Sequence, residues 1–295
     1  MDNKMFIAGV SGGPDSMAML DLYKNKIKAV CFVNYYDRND THIDERIVKN
    51  YCFKNNILLH CLNVTKDIYL SIESNNFQDQ CRKIRYDFYN EIACLYDLND
   101  VLIAHNFDDF VETAYSQIIK KKDNLYLGIK KNSKYKDINV IRPLLNCRKD
   151  DLQKYCDKNN IEYIIDSTNI KDIYERNRHR KYLKSLSLEE FNQLLNYINE
   201  YNLKNYQIDL KIKDIYKLWK ASNYSLELFN KNDEFYKYEL IYFFLSDNYV
   251  SQINKNKISH IIEFIKFSNM VKLFRISKNT YISKRNKNLE IIVRS

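Results

Sequence analysis

The chain reads as an α/β protein with a doubly wound parallel sheet, followed by a smaller helical and α+β unit. Three observations carry that reading. Strand-like and helix-like runs alternate between residues 5 and 165. Three of the four glycines, with one of the two prolines, fall within residues 9–14, at one strand-to-helix turn. After about residue 185 the alternation gives way to helices and then three short strands.

In order along the chain, residues 5–10 form a short apolar run that predicts a strand, and residues 15–25 predict a helix with Met17, Leu20 and Leu22 inward. Strand-like runs at 27–33, 57–62 and 101–104 alternate with helical patterns at 41–56 and 76–96, which is the signature of a parallel sheet. In the 76–96 helix Phe77, Cys81, Ile84, Phe88, Ile92 and Leu95 recur at helical spacing and define the core face, with Arg82 and Arg85 off it. Strands at 139–141 and 161–165 flank a helix at 149–159. Right-handed crossovers then set all strand C-termini on one edge, the edge that carries the turn at 11–16. Helices at 188–201, 233–246 and 257–267 precede strands at 271–276, 280–284 and 289–293, with turns at 277–279 and 285–288. This predicts two domains, 1–205 and 206–295.

An average chain of 295 residues would carry roughly 20 glycines. A chain with four keeps them where a side chain does not fit. In Ser11-Gly12-Gly13-Pro14-Asp15-Ser16, backbone N–H groups can converge at a helix N-terminus, where orphan donors and the helix dipole favour phosphate. The loop lacks the lysine of Gly-Lys-Ser/Thr phosphate loops. An aspartate among phosphate-binding amides repels the ligand unless a divalent cation stands between them, so Asp15 reads as a Mg²⁺ contact. A capped helix after a turn is the simpler alternative.

Net charge +9 and a pI near 8.9 favour a polyanionic partner. The seven cysteines are an odd number without a Cys-x-x-Cys pair, and most are expected on core faces as reduced thiols. No charged-then-apolar leader precedes the first strand and no run approaches 18 apolar residues, which predicts a cytoplasmic protein with no membrane segment.

Beyond the fourth strand stands His105-Asn-Phe-Asp108-Asp109-Phe-Val-Glu112-Thr113, opening a helix with its acids three and four apart. Acids beside a phosphate site need cations, either Mg²⁺ or a substrate ammonium, and one carboxylate can serve as general base. Acids favourably placed on a helix N-terminus beside a hydrogen-bonded core His105 would give the same pattern. Three basic clusters follow: Arg82-Lys-Ile-Arg85-Tyr86; ten Lys or Arg between residues 120 and 149, including Lys120, Lys121, Lys122 and Arg142-Pro-Leu-Leu145; and Arg176-Asn-Arg178-His-Arg180-Lys181 after Asp166-Ser-Thr-Asn169. Each alone is an ordinary solvated face. Three in one α/β domain suit an RNA rich in phosphates.

The string Ser11-Gly-Gly-Pro-Asp-Ser16 resembles the phosphate loop of the PP-loop ATP pyrophosphatases, whose catalytic domain is Rossmann-like. The later motifs, in this order and spacing, make the chain similar to the tRNA(Ile)-lysidine synthetase family within that superfamily, over residues 5 to about 185. Two stretches depart from the family pattern: Asn34-Tyr35-Tyr36 replaces an Asp-His pair, and Lys-Lys-Lys-Asp-Asn-Leu-Tyr-Leu before Gly128 replaces a glycine-rich turn.

The resemblance implies ATP and Mg²⁺ as cofactors, and free L-lysine and an isoleucine tRNA with a CAU anticodon as partners. A homodimer stays open as the assembly. It further implies that cytidine is adenylated at its ring-carbonyl oxygen and that lysine then displaces AMP. Asp15 would hold Mg²⁺, the amides of residues 11–16 with the Ser11 and Ser16 hydroxyls the phosphates, and Arg82 the developing negative charge. Asp109 and Glu112 would orient lysine, one of them taking its proton with or without His105. Lys120, Lys121, Lys122, Arg142, Arg176, Arg178 and Arg180 would contact tRNA. A PP-loop ligase for a small molecule and a non-catalytic RNA-binding protein are the alternatives. The first leaves the basic clusters without a purpose, and the second leaves Asp15, Asp109 and Glu112 idle.

Overall fold

The computed structural model describes residues 4–35, 41–65, 67–68, 77–121, 124–165, 175–248, 250, 253–267, 273–277 and 279–294, with backbone only for residues 77, 78, 175 and 176. The chain divides into two compact units, Met1–Asn202 and Leu203–Ser295.

In the first unit, strands β1 (Phe6–Gly9), β2 (Ile27–Asn34), β3 (Leu58–Asn63), β4 (Asp100–Ile103), β5 (Asn132–Tyr135) and β6 (Ile138–Ile141) make one sheet of order β3-β2-β1-β4-β6-β5. All neighbouring pairs are parallel except the β5–β6 hairpin at the edge. The order reverses at β1, so the C-terminal ends of β1 and β4 border the crevice where doubly wound sheets bind ligands. Helices α1 (Pro14–Tyr23), α2 (Thr41–Lys54), α3 (Phe77–Leu95), α4 (Phe107–Ile119), α5 (Lys149–Lys158), α6 (Glu175–Ser185) and the first turns of α7 (Leu188–Ala221) complete it.

One core joins Met17, Leu20, Val30, Val48, Leu102 and Leu152, with α1, α2 and α5 contributing. The other holds α3 against the sheet through Tyr86, Phe88, Tyr89 and Ile92. The strongly apolar β1 and β2 fit a sheet covered on both faces.

Several expectations change. Leu22 and Leu95 are about half and two-thirds exposed, because each lies in the last turn of its helix, past the sheet. Of the cysteines only Cys31, Cys52 and Cys156 are buried, and none of the seven forms a disulfide. Residues 161–165 form no strand: the Ile161 N–H closes the end of α5 on Cys156 O, and the Ile164 N–H donates to Gly12 O at 3.0 Å instead of to a neighbouring strand. Strand β5 had no apolar alternation to announce it, since Asn-Ser-Lys-Tyr is an edge strand.

The second unit packs α8 (Leu226–Asn230), α9 (Glu234–Asp247), α10 (Lys255–Phe267) and the later turns of α7 around Trp219, Phe229, Phe244 and Ile261. Its antiparallel sheet runs β7 (Leu273–Arg275), β8 (Thr280–Arg285), β9 (Asn288–Val293). Asn286 and Lys287 both have positive φ, 51° and 64°, as a two-residue hairpin turn requires. Among the described residues no helix is long and apolar enough to cross a membrane.

Candidate active site

The turn between β1 and α1 is folded by its small residues. Gly12 has φ +83°, and a Cβ there would lie 3.3 Å from the Asp44 backbone, so a side chain is disfavoured by both conformation and crowding. Gly13 is the extended N-cap and Pro14 takes the first helical position, where the missing N–H costs nothing. Ser16 Oγ donates to Gly13 O at 2.9 Å, accepts the Ser11 N–H at 3.2 Å and lies 3.3 Å from Ser11 Oγ. The two serines thus hold the loop in shape.

Above it opens a cavity of about 290 Å³. The loop, the ends of β2 and β4, Thr41 and Asp44 of α2, and Arg85 and Tyr89 of α3 line it, with His105 at the rim. Ser11, Gly13, Asp15 and Ser16 all face this space. Burial, reinforced by Asp109 and Asp108 and opposed by Lys149 and a hydrogen bond from Asn106, pushes the Asp15 carboxyl up to about 6. Asp15 Oδ1 is buried without a hydrogen-bond partner. A buried orphan carboxylate oxygen beside a phosphate-binding turn fits a hard cation. Among the described residues no cluster of three or more His, Cys, Asp or Glu could hold a metal ion, so Mg²⁺ here would rely on Asp15, phosphate oxygens and water.

The acids of α4 have separate duties. Asn106 and Asp109 form a reciprocal capping box, Asn106 Oδ1 accepting the Asp109 N–H at 2.9 Å and Asp109 Oδ2 the Asn106 N–H at 3.2 Å. Asp108 accepts the Lys149 N–H at 2.8 Å and pairs with Arg148 at 3.1 Å, capping α5. Glu112 is buried and takes the Arg180 guanidinium on both oxygens, at 2.6 and 3.1 Å. Arg180, expected on tRNA, therefore stands on the carboxylate expected to hold lysine, and that pairing raises its pKa.

Arg142 corrects the sequence reading most plainly. It is 2% exposed, and its guanidinium donates to His105 Nδ1 at 3.0 Å, Lys130 O and Ser133 Oγ at 2.9 Å, and Tyr86 Oη at 3.4 Å. A buried, four-fold-engaged guanidinium is an internal brace and no tRNA contact. Because His105 Nδ1 accepts, the neutral ring carries its proton on Nε2. His105 Nε2 is thereby a donor.

Arg82 is exposed and lies over the Tyr86 ring, 4.5 Å from its centroid, outside the cavity lining. The cavity instead receives Arg85, whose Nε is buried with no partner. This corrects the expectation that Arg85 lies off the core face: four residues beyond Cys81 and three before Phe88, position 85 falls on the apolar stripe, where a solvated arginine has no place. Lys120, Lys121 and Arg178 are exposed. Lys122, Tyr36, the side chain of Arg176 and the Asp166-Ser-Thr-Asn169 motif lie outside the described residues.

A parallel sheet with a glycine-rich strand-to-helix turn at its switch point is the architecture of the PP-loop domain, whose family model residues 1–186 match. The chain belongs, within that class, to the tRNA(Ile)-lysidine synthase family. It is 42% identical to the tRNA(Ile)-lysidine synthase of Ureaplasma parvum serovar 3 over 96% of this chain and 85% of that one. The corresponding protein of Malacoplasma penetrans is 40% identical over 98% of each chain, and that of Mycoplasma genitalium 35% over 99% of each. The fold alone is shared with a U34-tRNA thiolase from Methanococcus maripaludis, with TM-score 0.58, 16% identity, and coverage of 70% of this chain and 74% of that one.

Proposed function

We propose that this protein forms lysidine on tRNA(Ile) by spending ATP on the first anticodon cytidine and replacing its ring-carbonyl oxygen with free L-lysine. The observation that carries the mechanism is Asp15: a carboxylate oxygen buried without a partner in the turn between β1 and α1, on the wall of the cavity. A carbonyl oxygen is a poor leaving group, and adenylation makes it a good one. The cytidine oxygen attacks the α-phosphate, and pyrophosphate leaves onto the turn of residues 11–16. Asp15, with the phosphates, would hold Mg²⁺, which would supply positive charge there. Arg85 reaches the same space, and the charge that Arg82 was expected to meet falls to it more directly.

In the second step the lysine ε-amine displaces AMP at the ring carbon. Its ammonium must first find negative charge and then lose a proton. Glu112 and Asp109 supply both. Exchanging the Arg180 guanidinium on Glu112 for the lysine ammonium keeps that buried carboxylate paired throughout, which avoids the large cost of an uncompensated charge.

The second unit is the accessory tRNA-contacting part in this reading. Residues 203–295 carry 17 Lys and Arg against 9 Asp and Glu, so eight of the nine net positive charges fall there. The absence of disulfides suits a reducing compartment, the cytoplasm.

The test is to omit one component at a time from ATP, labelled lysine and tRNA(Ile). Pyrophosphate release that needs tRNA supports the reading, and lysidine should appear only when lysine is added. Release with ATP and lysine alone would mark a small-molecule ligase, and tRNA binding without any release would mark a passive RNA-binding protein.

A further inference from the structure

One surface feature of the first unit is used by none of these steps. Tyr115 of α4 and Tyr182 of α6 stack with ring centroids 5.1 Å apart and planes 20° from parallel. The His179 ring stands edge-on to Tyr115 at 5.3 Å and 85°. Rings that served only to glue α4 to α6 would be buried. Tyr182 is 48% exposed. One side of the pair is closed by packing, while the side chain of Tyr182 offers an aromatic surface to solvent.

Its position is informative. Tyr115 is three residues beyond Glu112 on the same helix, about 4.5 Å along the axis and on the same face. His179 directly precedes Arg180, the residue paired with Glu112. Exposed Arg178 stands four residues before Tyr182, on the same side of α6, and offers charge for phosphates. An aromatic surface one helical turn from the exposed Arg178, backed by a ring one turn from Glu112, suits a flat aromatic group on a polyanion.

We propose that Tyr182, backed by Tyr115 and His179, is a stacking platform for one unpaired anticodon-loop base next to the target cytidine. The platform holds the loop so that the cytidine can leave its own stack and enter the cavity. This inference rests on the lysidine-forming reading, and its test is chosen to separate the two.

The assay measures binding of full-length tRNA(Ile) carrying a single abasic site at each unpaired anticodon-loop position in turn. With the wild-type protein, an abasic site at one position flanking the cytidine should weaken binding about 5- to 150-fold, the range expected for losing one base–aromatic stack. Tyr182→Ala should weaken intact tRNA by a similar factor and erase the penalty of that abasic site. Tyr182→Leu, which keeps apolar bulk against Tyr115 without a π-face, should behave the same way, and Tyr182→Phe should keep the wild-type pattern. The platform is overturned if no flanking abasic site weakens wild-type binding, or if the penalty survives undiminished in both the alanine and leucine variants. An abasic series without any penalty on wild-type protein overturns the platform even if a variant fails to fold. Failure of the underlying reading looks different: wild-type protein would then make no lysidine on intact tRNA, whatever the abasic series gives.

Discussion

Asp15→Asn tests the proposed cation site through stability as well as activity. The Asp15 carboxyl is raised from 3.8 to about 6, chiefly by burial. The native state therefore binds this proton more tightly than the unfolded chain does. The sign follows: the ionised group costs nothing below about pH 3.8, costs progressively more as pH rises, and imposes its full cost above about pH 6. A difference of about 2.2 in pKa, at about 1.4 kcal/mol for each pH unit, gives about 3 kcal/mol. Asparagine does not titrate, so in the ligand-free protein Asp15→Asn should be more stable than wild type by an amount that grows from about 0.5 kcal/mol at pH 4 to about 3 kcal/mol at pH 8.

Urea unfolding of both proteins across that range measures it. Mg²⁺ and ATP should stabilise wild type by about 2.7 kcal/mol at a hundredfold excess over Kd and the variant much less. Adenylation should be lost with tRNA affinity nearly intact. A pH-independent difference between the two proteins would refute the buried-charge argument, and lost tRNA affinity with normal pyrophosphate release would refute the role.

Glu112→Gln should raise the KM for lysine about 10- to 150-fold, the worth of a hydrogen bond to a charged partner, and leave the KM for ATP unchanged in steady-state assays. Equal effects on both would move Glu112 to the metal site. Arg142→Met should lower unfolding free energy by about 2–4 kcal/mol and lower kcat, because four acceptors lose their donor and His105 loses its fixed tautomer, while tRNA affinity in filter binding stays at the wild-type value. Replacing Lys120, Lys121 and Lys122 by alanine should weaken tRNAs of all sequences alike and flatten the log–log salt dependence by about one unit per lost phosphate contact. The same measurement on glutamine variants of the exposed Arg275, Arg285 and Arg294 reports on the second unit, and an unaltered slope there would remove it from the tRNA interface.

What was legible in the chain was what short-range spacing encodes. The turn at residues 11–16 stood out because Gly12 adopts a backbone conformation that few side chains allow, and a chain with four glycines placed one there. The strand–helix alternation announced a parallel sheet because each element repeats its apolar residues at its own period. The motif from His105 to Thr113 could be placed at a helix start because capping is local, as the Asn106–Asp109 box shows.

The partners of charged side chains were not legible in that way. Asp108, Asp109 and Glu112 look alike in sequence, yet one caps α5, one closes its own helix and one binds Arg180. Arg142 reads as one more basic residue until the β5–β6 hairpin folds it under His105, 37 residues away. Arg180 meets Glu112 across 68 residues. Arg85 differs from Arg82 only in which side of α3 it occupies, and that side decides between a cavity wall and solvent. The sequence by itself determined the turn at residues 11–16 and the sheet, because these rest on backbone conformation and apolar periodicity within a few residues, and the family, because the motifs that resemble it stand in order along the chain. Tertiary structure alone decided which ionisable groups are buried, paired or aimed at the cavity, because the desolvation that sets their chemistry comes from atoms far away along the chain.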